Sequence, residues 1–238
     1  MEGHTALASS RPMDLHSFIH LLFISIIALF PVVNPIGSAF IVNPSLMRLT
    51  DAERKAAVRK ITFYAFSICT VTLFAGHWIL ELFGISIPVI QLAGGIMICK
   101  LGWESLSVDE KRPSPETPAD HATAHGPDTD INNILFYPIT FPITTGAGTI
   151  SVLFTLSAQG ANTDVRTFLF NTAATLLAVV VLCIMVLVFY GNTKRMVDRL
   201  GTTGERVLSR ITAFLIFCVG LQIAVNGIKS LIESGMLS

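Results

Sequence analysis

Charged residues divide this chain into blocks. Stretches free of Asp, Glu, Lys and Arg cover residues 15–47, 61–80, 82–99, 131–163, 167–193 and 211–228, with lengths of 33, 20, 18, 33, 27 and 18. A helix needs about 20 apolar residues to cross a ~30 Å hydrocarbon core. The pattern therefore predicts six membrane segments. Apolar residues follow one another without the strict alternation of a barrel strand, so the segments read as helices. The expected fold class is an all-α integral membrane protein with six transmembrane segments.

Composition points the same way. Hydrophobic residues make up 52% of the 238 and charged residues 13%, against roughly 25% charged in a soluble domain. Mean hydropathy is +0.66. This excludes an ordinary soluble enzyme, and an intrinsically disordered chain as well. A formal net charge of +0 argues against a nucleic-acid partner. Cys69, Cys99, Cys183 and Cys218 form no CxxC or CxxH pair, and each stands in an apolar run, so no zinc or thiol-redox site is expected. The expected partner is the lipid bilayer, and self-association is left open.

The first segment reads as a retained span. Its leader holds Glu2 and Asp14 against one Arg11 and lacks a basic n-region. Basic residues then set the orientation. Arg48, Arg54, Lys55, Arg59 and Lys60 follow segment 1; Lys111 and Arg112 follow segment 3; Lys194, Arg195, Arg199, Arg206 and Arg210 follow segment 5. Those links hold 12 of the 16 basic residues, and such links face the cytoplasm. Both termini are then expected outside the cytoplasm, in a bacterial cell inner membrane. Thr50 or Asp51 can cap a helix with Glu53 in its first turn, running on into segment 2.

Residues 107–130 are rich in Pro, Asp, Glu, Thr and His and have no apolar face. They read as a disordered cytoplasmic linker. His121 and His125 stand near acidic residues but match no metal-site spacing, and a solvated linker is the preferred reading. The chain thus divides into an outer tail (1–14), a first three-helix repeat (15–106), the linker (107–130) and a second three-helix repeat (131–238).

The two halves resemble each other. Run lengths repeat as long, medium, short, and three crossings per half reverse the orientation, as in an inverted-topology transporter. Residues 30–38 read FPVVNPIGS and residues 141–149 read FPITTGAGT, sharing FPxxxxxG followed by a small hydroxyl residue. These motifs fall inside the two 33-residue runs, where an unbroken helix would be ~50 Å long. Pro31, Pro35 and Gly37 in segment 1, and Pro138, Pro142, Gly146 and Gly148 in segment 4, predict breaks. Backbone groups freed at membrane depth must be buried in protein or line a wet cavity.

The breaks carry neutral hydrogen-bonding side chains. Asn34, Pro35, Gly37 and Ser38 in one half, and Thr144, Thr145, Gly146, Gly148 and Thr149 in the other, are the candidate substrate-binding residues, with Thr140 close by. Half-helix N-termini suit a carboxylate, and unwound carbonyls suit an ammonium group or Na⁺. Kinking alone is the plainer reading of one such segment; the pairing of two favours a site. Gln91, Asn171 and Gln222 are secondary cavity candidates, although interhelical hydrogen bonding is the commoner use of such residues. No ionisable residue stands at mid-membrane, and Lys100 and Glu104 are spaced to pair on a helix.

Three motifs carry a family resemblance. Asn34-Pro35-Ile36-Gly37, Leu92-Ala93-Gly94-Gly95-Ile96 and Thr145-Gly146-Ala147-Gly148-Thr149-Ile150 resemble the MarC family of bacterial integral membrane proteins. The likeness covers residues 15–106 and 131–234. It implies six spans, an inner-membrane location and a grouping with neutral amino-acid transporters. Ser38-Ala39-Phe40 and Ala147 depart from the family's usual residues at the two breaks.

The expected function is secondary transport of a small neutral solute such as a neutral amino acid, with coupling to Na⁺ or H⁺ left open. No cofactor, metal or covalent chemistry is expected, so the chain is not read as an enzyme. A non-transporting scaffold or stress-related factor that binds a partner is the alternative.

Overall fold

The computed structural model describes residues 15–107, 135–161 and 165–234. The outer tail, nearly all of the linker, and with it His121 and His125, lie outside the described residues. All described elements are helical: α1 (Leu15–Val33), α2 (Pro35–Leu46), α3 (Asp51–Phe83), α4 (Ile87–Ser107), α5 (Leu135–Thr144), α6 (Ala147–Ala161), α7 (Val165–Gly191) and α8 (Thr193–Glu233).

Local chemistry explains most boundaries. Thr50 starts α3 with a capping box: its N–H donates to Glu53 Oε2 at 2.9 Å, and Glu53 N–H returns to Thr50 Oγ1 at 3.4 Å. As the sequence predicts, this helix runs from the basic link straight into the second apolar run. Gly84 ends it in the left-handed region at φ 62°. Gly201 (φ 64°) interrupts α8 within its basic stretch, ahead of Arg206, Arg210 and the apolar run.

Four stretches are long and apolar enough to cross a membrane: α1–α2 together (Leu15–Leu46), α3, α7, and Arg210–Glu233 within α8. The pair α5 and α6, bent by 62°, makes a fifth if taken as one span. On length and apolarity the expected six therefore become four or five. The run that differs is α4, where Pro88, Gln91, Gly94, Gly95, Lys100, Gly102 and Glu104 dilute the apolar residues. Lys100 and Glu104 pair at 3.7 Å, as their spacing predicts.

Contacts give the relative directions. Phe18 stacks edge-on against Phe170 at 5.3 Å, and Ser25 Oγ lies 3.4 Å from Thr175 Oγ1, so α1 and α7 run parallel. Tyr64 meets Phe136 at 5.6 Å, and His77 N–H donates to Ser157 Oγ at 3.3 Å, so α3 runs parallel to α5–α6. Helix α4 lies antiparallel along α8. Arg210 Nη1 donates to Leu106 O at 2.9 Å at one end, and Gly227 faces Pro88 and Leu92 at the other.

Glycines set the α4–α8 spacing. A Cβ on Gly95 would stand 2.7 Å from Gly220 O and 2.7 Å from Ala224 Cα. One on Gly220 would stand 2.5 Å from Cys99 N and 2.9 Å from Gly95 O. A Cβ on Gly102 would stand 2.6 Å from Phe217 N, and one on Gly227 2.7 Å from Leu92 N. Lipid provides no hydrophobic drive between helices, so close backbone contact of this kind is a main source of attraction.

Candidate functional site

The two breaks are built differently. Asn34 alone interrupts the first, at φ 44° and ψ 59°. Asparagine tolerates this left-handed conformation better than most residues. Its Oδ1 accepts from Gly37 N at 3.1 Å and so caps α2, whose first residue is Pro35. The hydrogen-bond ladder resumes at once, with Ser38 N donating to Asn34 O at 2.9 Å. Gly37 is required here, because a Cβ would stand 2.9 Å from Asn34 Cγ and Oδ1.

The second break is wider. Tyr137 (φ −124°, ψ 123°) and Phe141 (φ −118°, ψ 121°) leave the helical region inside α5. Each directly precedes a proline, Pro138 and Pro142, whose ring disfavours helix at the residue before it. The Phe141–Pro142 peptide is cis. Turns here are wide: Thr145 N–H reaches back five residues to Thr140 O at 2.8 Å. Gly146 lets α6 start close to the break, since its Cβ would lie 2.7 Å from Pro142 O.

Hydroxyl groups donate to the carbonyls around the breaks, and two of these carbonyls, Asn34 O and Thr140 O, also accept a backbone N–H. Thr140 Oγ1 donates to Leu135 O at 2.7 Å, Thr144 Oγ1 to Ile139 O at 2.9 Å, and Thr145 Oγ1 to Thr140 O at 3.0 Å. Ser38 Oγ donates to Asn34 O at 2.7 Å. These residues are buried, as is Thr149. Thr149 Oγ1 is the exception in the group, a buried hydroxyl with no hydrogen-bond partner among the described residues.

Tyr190 joins the two halves. It lies on α7 and is fully buried. Its hydroxyl is 2.8 Å from Thr144 Oγ1 and has Ser38 as its second polar neighbour. Gly148 adds an apolar bridge: a Cβ there would lie 2.6 Å from Ile98 on α4 and 3.5 Å from Val32 on α1. Ser38 and Thr144 thus gather at one buried tyrosine, while Asn34 and Pro35 flank Ser38, and Thr145 to Thr149 lead away along α6.

The secondary candidates stand apart. Gln222 is exposed on α8, where its Nε2 donates to Asn226 Oδ1 at 3.0 Å. Asn171 and Gln91 are half-buried, and the Asn171 carbonyl accepts from Thr175 Oγ1 at 3.0 Å. Tyr190 was not singled out from the sequence. A tyrosine near the end of an apolar run reads as an interfacial anchor, and no spacing rule separates it from Tyr64 or the exposed Tyr137.

The profile of the MarC family of integral membrane proteins matches residues 19–232. The chain belongs to the MarC family. It is 29% identical over 226 residues to the inner membrane protein MarC of Salmonella paratyphi A, covering 93% of this chain and 99% of the relative. The protein of that name from Escherichia coli O1:K1 / APEC is 28% identical over 227 residues, with the same coverage. No solved structure matches. Both helix breaks of this MarC family member fall inside the matched region. This is therefore an integral membrane protein of the lipid bilayer, with its candidate site inside the family's common core.

Proposed function

We propose that the chain is a secondary transporter of a small neutral solute, most simply a neutral amino acid, in a bacterial inner membrane. The observation that carries this reading is the convergence of two helix breaks on one buried hydroxyl cluster, with Tyr190 between Ser38 and Thr144. Isolated membrane helices have little use for paired breaks, whereas transporters build substrate sites from them. The unpartnered Thr149 hydroxyl supports a polar ligand there, because a buried polar group without a partner is unfavourable.

In this reading all six runs cross, as two inverted three-helix repeats with both termini outside the cytoplasm. The helix directions support it. Alternating crossings make segments 1 and 5 parallel, 2 and 4 parallel, and 3 and 6 antiparallel, which matches α1 with α7, α3 with α5–α6, and α4 with α8. The glycine contacts also pair off: Gly95 meets residues 220 and 224 as Gly220 meets 95 and 99. Asn34, Ser38, Thr144, Thr145 and Thr149 would contact the solute, and Gly37, Gly146 and Gly148 would let backbone approach it. No covalent step is involved.

A specific observation favours a second reading. The hydroxyls of Thr140, Thr144, Thr145 and Ser38 are bound to nearby carbonyls. A plug satisfied in this way could serve a scaffold that binds a partner through its basic links. Uptake of labelled glycine and alanine into proteoliposomes, with and without Na⁺ or proton gradients, decides between them. Gradient-dependent uptake lost in Asn34→Ala and Thr145→Val is the expected result. Uptake equal to that of empty liposomes under every gradient would leave the scaffold.

A further inference from the structure

Away from the breaks, a groove of about 400 Å³ runs between α3 and α7. Arg59, Thr62, Phe63 and Phe66 line one wall, and Val180, Cys183, Ile184 and Leu187 the other. Phe63, Ile184 and Leu187 are 65%, 54% and 39% exposed, so the groove opens sideways on the outer surface of the bundle. Its walls are apolar except at one end. Thr62 Oγ1 donates to its own helix at Val58 O (2.9 Å) and presents no unmet hydrogen bond to an occupant. Arg59 has no ion-pair or hydrogen-bond partner among the described residues.

Helical spacing orders these residues by polarity. Lys55, Arg59, Phe63 and Phe66 follow one another at steps of four, four and three, which keeps them on one face of α3. Arg59 stands two residues before the charge-free run that begins at Ile61, at the level of headgroups. From Arg59 to Phe66 the rise is about 10 Å. One face therefore presents two cations at the membrane surface and an aromatic-lined trough beneath them.

We propose that this groove is a binding site for an anionic phospholipid, with the phosphate on Arg59 and one acyl chain against Phe63, Phe66, Val180 and Ile184. Guanidinium holds phosphate by paired, charge-assisted hydrogen bonds, and an anionic lipid, unlike a zwitterionic one, brings no headgroup cation to be repelled by Arg59 and Lys55. A second copy of the chain fits the groove less well, because a symmetric contact would bring Arg59 and Lys55 against their own copies. A free phosphate would leave the apolar trough uncovered.

The test is native mass spectrometry of the full chain, released from nanodiscs of equal phosphatidylglycerol and phosphatidylcholine. Retention of phosphatidylglycerol several-fold above phosphatidylcholine is expected. Arg59→Gln should lower that preference about fivefold, the equivalent of ~1 kcal/mol for one cation at a membrane surface. Ile184→Trp, which fills the trough without changing charge, should reduce retention of both lipids; because Ile184 is exposed, the variant should fold. Equal retention of the two lipids by the unmodified chain would overturn the proposal. So would an unchanged preference in Arg59→Gln, retention of inorganic phosphate in place of lipid, or a dimer that excludes lipid from the groove. None of these outcomes depends on transport.

Discussion

Tyr190 on α7 places its hydroxyl 2.8 Å from Thr144 Oγ1, at the point where the second broken span turns toward the first. Neither partner depends on the other alone: Thr144 also reaches Ile139 O, and Tyr190 has Ser38 beside it. The pair is a cross-link between elements far apart in sequence rather than a local cap. Removing only the hydroxyl, in Tyr190→Phe, should therefore cost about 1 kcal/mol. Tyr190→Ala adds a large cavity and should cost about 3–5 kcal/mol. Denaturant unfolding in detergent micelles reads both, and equal losses would show that the hydrogen bond, not the packing of the ring, is what matters.

The conformation at Asn34 makes a ranking. Its left-handed backbone strains any residue with a Cβ, and its Oδ1 caps α2. Asn34→Gly keeps the conformation and loses the cap; Asn34→Ala loses the cap and adds strain of about 1–2 kcal/mol. Thermal unfolding should order the three as Asn, Gly, Ala from most to least stable. An alanine variant as stable as the parent would mean that the break is not held by this residue.

Glycine substitutions should separate by what the new methyl group meets. At Gly95 and Gly220 it meets the backbone of the partner helix. Alanine there must push α4 and α8 apart, at about 1–3 kcal/mol. At Gly148 it meets the side-chain atoms of Ile98, which can yield, so the loss should be smaller. At Gly191 nothing lies within 4 Å, and alanine should stabilise by about 0.4–1 kcal/mol through the unfolded state. Stability measured across the four alanine variants checks the order.

Topology has a direct assay. Reporters fused at residue 120 and at the C-terminus should report opposite sides of the membrane if all six runs cross. The same side for both would mean that only two runs cross after residue 120, as they would if the bent pair α5–α6 enters and leaves on one side of the membrane.

Much of this architecture was legible because it rests on local rules. Charge-free runs mark the apolar helices, Thr50 with Glu53 marks the start of α3, and prolines at 35, 138 and 142 mark the breaks. What escaped was facing. Gln222 stands in an apolar run and reads as a cavity residue, yet it turns outward and pairs with Asn226. Nothing in the sequence marks Tyr190, which turns inward and is fully buried. Gly95 stands in an apolar run, and its partners Gly220 and Ala224 become visible only once α4 and α8 lie together. Which side of a helix meets a neighbour depends on residues more than a hundred positions away, and in a helix apolar all round no periodicity reveals it.

Thr149 separates the transport reading from the scaffold reading most sharply. Its hydroxyl is buried and unpartnered. In a scaffold it serves nothing, and Thr149→Val, which has nearly the same shape, should stabilise the fold by about 1 kcal/mol with no loss of function. In a transporter the hydroxyl meets the solute, so the same variant should gain stability and lose uptake, with its half-saturating concentration raised about fivefold for ~1 kcal/mol of hydrogen bonding. Stability and uptake measured on one preparation give the answer. A gain in stability with uptake unchanged would remove Thr149 from the site, and a loss of stability would mean that the hydroxyl already has a partner in the folded protein.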